Sequence, residues 1–118
     1  MSLELAGGCI GGFNRGTTTI KNNGVITDGN RGPTCYVYNG DDSSPVIYLN
    51  PTDSRNGAEA IIFNEGNNAL KIKIKSSYAS SSMNVMWANG YSGKISEYAL
   101  TVGGVVHAVL TGDYWHIW

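Results

Sequence analysis

Charge is the scarcest ingredient of this sequence. Only 14% of its 118 residues are Asp, Glu, Lys or Arg, against about a quarter in an average soluble domain. Eight basic residues against nine acidic ones leave a net charge of −1, so no global field draws in nucleic acid or an anionic membrane. Long apolar runs are missing as well. No window reaches the ~18 residues of a membrane-spanning helix, and the start, Met1-Ser2-Leu3-Glu4, has neither the basic nor the apolar region of a secretory signal. Cysteine is rare, at two residues. Cys9 and Cys35 form no Cys-x-x-Cys pair and no Cys/His cluster with zinc spacing, so no metal site is expected; the two pair only if the N-terminal segment folds back, and both are read by default as free thiols. The composition excludes a disordered segment, a coiled coil and a disulfide-dense miniprotein.

Glycine, by contrast, is plentiful at 16 residues, and 42% of the chain is hydrophobic. The polar surface must therefore come mainly from Asn, Ser and Thr. A chain of this length suits one domain that buries roughly two thirds of its unfolded surface. Five glycines between Ala6 and Gly16 mark residues 1–16 as a flexible lead-in. From Thr17 to Trp118, short β-branched and aromatic runs alternate with Gly, Asn, Asp, Ser and Pro clusters about every 8 to 12 residues, the signature of an all-β domain. The expected fold is a compact antiparallel β-sandwich, jelly-roll-like, of about 8 to 10 short strands.

Alternation assigns the faces. Leu70-Lys71-Ile72-Lys73-Ile74-Lys75 places its apolar residues on one face and its three lysines on the other. The lysine stripe reads as an exposed face that keeps its strand from pairing with others. Glu59 to Phe63 and Val46 to Leu49 do not alternate, which points to cover on both faces, supplied by the domain's own loops or by a second subunit. Asn23-Gly24 suits a type I′ hairpin turn and Gly112-Asp113 a type II′ turn. The latter puts Val106, Ala108, Leu110, Trp115 and Ile117 on one face, and Val105, His107, Val109, Tyr114, His116 and Trp118 on the other. The closing run Tyr114-Trp115-His116-Ile117-Trp118 needs a docked position to avoid exposing a large apolar patch.

Chemical signatures are sparse. The only histidines are His107 and His116, and no G-x-S-x-G, H-E-x-x-H or P-loop occurs. The carboxylates Asp41, Asp42, Asp53, Glu59 and Glu65 show no pairing that sequence alone can place the ~5 to 10 Å apart that glycoside hydrolysis requires, and Asp41-Asp42 reads as a solvated turn. No cofactor is expected, and the chain reads as a non-enzyme. Aromatics are the more promising groups. Trp87, Asn89 and Tyr91 bracket a strand end and a turn where a sugar ring could stack and find an amide. The alternation of Met83, Val85 and Trp87 gives the competing assignment of Trp87 to the core.

The order of these motifs resembles the C-terminal tip domains of phage tail fibres and tail spikes. The resemblance covers Pro45 to Trp118. It is carried by Val46-Ile47-Tyr48-Leu49-Asn50-Pro51, Asn56 to Gly66, the alternating Leu70–Lys75 strand, Asn89-Gly90, Tyr98 to Gly104, and the terminal hairpin from Val105 through Gly112-Asp113-Tyr114-Trp115 to Ile117. It implies a homotrimer on a virion fibre, or otherwise outside the cell, that attaches to a cell-surface glycan or protein receptor without membrane insertion. Phe63, Tyr114 and Trp118 are then candidates for the subunit interface. The alternatives are a monomeric carbohydrate-binding, lectin-like module and a small capsid decoration protein.

Overall fold

A computed structural model describes residues 17–26, 34–50, 58–75, 85–111 and 114–118, and every regular element in them is a strand. In chain order the strands are β1 (Thr17–Thr19), β2 (Val25–Ile26), β3 (Thr34–Tyr38), β4 (Val46–Leu49), β5 (Glu59–Asn64), β6 (Leu70–Ile74), β7 (Met86–Ala88), β8 (Lys94–Ile95), β9 (Glu97–Leu100), β10 (Val105–Leu110) and β11 (Trp115–Ile117). They form two sheets, one ordered β1-β3-β5-β10-β11-β7-β8 and one ordered β2-β4-β6-β9. The expected lead-in over residues 1–16 and the start of the strand expected from Met83 lie outside the described residues.

The all-β, sandwich-like architecture agrees with the sequence; strand direction does not. β1, β3 and β5 pair in parallel in the larger sheet, and β2, β4 and β6 pair in parallel in the smaller one. The chain thus visits the two sheets alternately and makes three turns of a flattened coil, each strand in one sheet serving as the crossover for the other. Antiparallel strands follow: β9 lies against β6, and β10 against β5. The expected jelly-roll of purely antiparallel strands is therefore corrected to a mixed arrangement. Side-chain alternation has the same period in both kinds of ladder, so it carries no information about direction.

The Asn23-Gly24 turn is corrected for a related reason. Only Asn23 takes a positive φ, 69°, and the Gly24 amide donates to the Lys21 carbonyl at 2.8 Å, which places Asn23 third in a turn of type II form. It joins strands in different sheets, and no hairpin forms. The β10–β11 hairpin is as expected. Leu110 faces Trp115, and the Thr111 amide donates to the Tyr114 carbonyl at 3.1 Å, the register set by a two-residue connection. Gly112 and Asp113 themselves lie outside the described residues.

One core fills the space between the sheets. Ile26, Ile47, Leu49, Leu70, Ile72, Ile74 and Leu100 from the smaller sheet cluster with Ala60, Ile62, Met86, Val106, Ala108, Leu110, Trp115 and Ile117 from the larger. Burying each large aliphatic side chain contributes roughly 1.5–3 kcal/mol. Trp115, a buried ring with a polar edge, donates its indole N–H to the Asn50 carbonyl at 2.9 Å and so pins β11 to the end of β4. Lys71, Lys73 and Lys75 do face outward, but β6 sits inside its sheet, so they do not guard an edge. On β4 only Ile47 and Leu49 are buried, while Val46 and Tyr48 are half-buried. β5 is covered more fully, with Ile61 buried on the outer side of the sheet.

Asn64 is the one buried polar residue among the described residues. Its amide nitrogen donates to the carbonyls of Asn68 (3.0 Å) and Leu100 (2.9 Å), and its side-chain oxygen accepts from the Gly66 amide at 3.0 Å. Its backbone bonds Gly103 and Gly104. Beside it, the fully buried Tyr38 donates its hydroxyl to Asp42 at 2.7 Å. The ring runs so close to Gly66 that a Cβ there would come within 2.5 Å of it. Burial and then the hydrogen bond to Asp42 push the Tyr38 phenol above its usual range.

Two outcomes follow from these contacts. Asn64→Leu strands two carbonyls and an amide, and should lower the urea unfolding free energy by roughly 3 kcal/mol with little change in slope. Because the native state holds the Tyr38 proton more tightly than the unfolded chain, its contribution is intact below the unfolded pKa of about 10 and is lost as pH rises through the native value. Wild type should therefore lose stability with rising alkaline pH more steeply than Tyr38→Phe; equal slopes in paired unfolding curves would contradict the assignment.

Candidate functional site

The outer face of the larger sheet carries the groups that core packing leaves over. Ladder register sets Lys94, Trp87, His116, Val109 and Glu59 in one line across β8, β7, β11, β10 and β5. Along the next line His107 pairs with Trp118 through both backbone bonds, at 2.9 and 3.0 Å, and with Ile61 and then Cys35 on the other side. Below that, Val105, Phe63 and Val37 stand side by side. Cys35 is disulfide-bonded, which corrects the free-thiol expectation; the chain's one other cysteine, Cys9, lies outside the described residues.

Trp87 belongs to this outer face and is 40% exposed, while Met86 and Ala88 point into the core. The alternation counted from Met83 and Val85 assigned it wrongly to the core: Val85-Met86-Trp87-Ala88 is apolar throughout, and only pairing with β11 fixes which residues turn inward. Trp87, Ala88, Asn89, His116, Ile117 and Trp118 line an open groove of about 530 Å³. The parallel β7–β11 ladder, which sets His116 beside Trp87, brings the groove together from strands remote in sequence. Gly90, with φ of 90°, occupies the third position of the turn that ends β7, and the Tyr91 amide closes that turn on the Ala88 carbonyl at 3.2 Å.

Each of the two indoles in the groove has a ring or a cation against it. The Trp118 indole stacks on the His107 ring, with centroids 5.4 Å apart and planes 11° from parallel. Its backbone is docked, as the apolar terminus requires, yet its ring remains 53% exposed. The Lys94 ammonium lies 5.0 Å from the centre of the Trp87 ring and 4.9 Å from that of Tyr114. His116 shares a 3.1 Å hydrogen bond with the Thr111 hydroxyl through Nε2.

Of the expected binding residues, the structure therefore gathers Trp87 and Asn89 in the groove and adds His116 and Trp118. Tyr91 is separate: it is exposed, and its ring meets the edge of Tyr98 at 6.2 Å. Of the expected interface residues, Phe63 lies in the apolar line below, Tyr114 under Lys94, and Trp118 in the groove. A second hollow, of about 310 Å³, lies by Ile20, Tyr38, Asn39 and Asp42, but the Tyr38 hydroxyl there is already engaged by Asp42. Among the described residues no three His, Cys, Asp or Glu side chains gather as metal ligands. Two flat apolar rings, an amide and an imidazole around an open groove can stack on a pyranose and hydrogen-bond its hydroxyls. Comparison with known proteins finds no matching family model, no matching curated protein and no matching solved structure.

Proposed function

We propose that this is a non-enzymatic receptor-binding domain of the fibre-tip kind, which attaches to a cell-surface glycan through the Trp87–Trp118 groove and works as a homotrimer. The observation that carries the reading is the pair of half-exposed indoles that line the groove. Indoles left half in water beside a fully buried core mark a recognition surface. The low charge of the chain favours a partner recognised by stacking and neutral hydrogen bonds. Trimerisation is supported by the neighbouring apolar line, where Val105 is 50% exposed and Phe63 and Val37 are half-buried. The same groove also fits a monomeric carbohydrate-binding module, and oligomeric state separates the two.

Trp87→Ala and Trp118→Ala should each weaken binding on a glycan array at least about fivefold, given that ring stacking contributes about 1–3 kcal/mol in comparable recognition. Undiminished binding by both variants would remove the groove from the reading. Sedimentation should give a trimer for the wild type and a monomer for Val105→Glu, whose exposed position tolerates the change without unfolding. A monomeric wild type at micromolar concentration would favour the lectin-like module.

A further inference from the structure

We propose, building on the reading of the groove as a saccharide site, that its ligand is an acidic sugar whose carboxylate pairs with Lys94. Trp87 is shared by two features. It forms one wall of the groove, and it carries the Lys94 ammonium, which the Tyr114 ring also holds at 4.9 Å. A lysine on a flexible stem normally loses considerable rotamer freedom when it binds an anion. Two rings that already favour the position of its charge reduce that loss.

No carboxylate among the described residues answers this charge. The ion pair found there joins Lys71 to Glu97 on the other sheet, at 3.9 Å. The carboxylate on Lys94's own cross-strand line is Glu59, separated from it by Trp87, His116 and Val109. A pyranose stacked on the Trp87 face that Lys94 leaves open would carry an exocyclic carboxylate past the ring's edge, where the exposed Lys94 side chain can turn on its flexible stem to meet it. His116 adds a second nitrogen-bearing group beside the same ring, while Asn89 and Trp118 take the remainder of the sugar. The site thus combines the stacking groups that line the groove with one positive charge beside it, and the charge selects among sugars that stack equally well.

The test compares immobilised oligosaccharides matched except for a terminal glucuronic acid or glucose. The glucuronic acid form should bind at least tenfold more tightly, and the advantage should shrink as salt rises. Lys94→Gln should abolish the preference, and Lys94→Arg should retain it. Lys94 is exposed, so both variants are expected to fold, and near-ultraviolet circular dichroism checks this. Equal binding of the two sugars by wild type overturns the acidic ligand and leaves the saccharide groove standing. Binding of the acidic form that survives Trp87→Ala but not Lys94→Gln overturns both, because charge alone would then account for it. Failure of the full chain to bind either sugar also overturns both.

Discussion

A buried amide is costly unless every polar atom finds a partner, and Asn64 meets that requirement by reaching into three separate stretches of chain. Its side chain ties the 66–68 turn after β5 to the Leu100 carbonyl at the end of β9 in the opposite sheet, while its backbone holds the 103–104 turn that leads into β10. The last turn of the parallel coil is thereby fixed relative to the antiparallel strands laid on it. Those strands carry the hairpin that builds half of the groove. Tyr38, wedged beside Gly66 and bonded to Asp42, extends the same knot to the loop between β3 and β4.

With the two sheets held in this way, the inner faces consume nearly all of the large aliphatic side chains, and the outer faces diverge. The smaller sheet presents lysines, with Lys75 over the Tyr48 ring at 4.7 Å. The larger sheet presents tryptophans, imidazoles and valine. Glu59 and Lys94 put charge on that outer face too, at the two ends of the line that passes through Trp87 and His116.

Much of the fold was legible in the sequence where local chemistry fixes geometry. The terminal hairpin followed from its short turn, which locks Val106, Ala108, Leu110, Trp115 and Ile117 inward and the histidines outward. The lysine strand followed from strict alternation. Long-range pairing was not legible. Thr17, Cys35 and Ile61 align across three strands at unequal separations along the chain, so no fixed repeat betrays the coil. Trp87 and Trp118 come to line one groove through a parallel ladder between strands remote in sequence, and nothing local specifies that arrangement. Asn64, followed by Glu65 and Gly66, reads as an ordinary turn residue, because satisfaction of its amide depends on Leu100, which only the closed fold supplies.

The reversal of strand direction after β6 has an architectural consequence. Turns of a parallel coil present the same hydrogen-bonding edge to each successor, so nothing in the repeat itself says when to stop. Laying β10 against β5 and β9 against β6 in the opposite sense uses up both edges that a fourth turn would need. The fold therefore counts its own turns: termination is written into topology, and insertions can lengthen the loops between strands without adding a rung on that side.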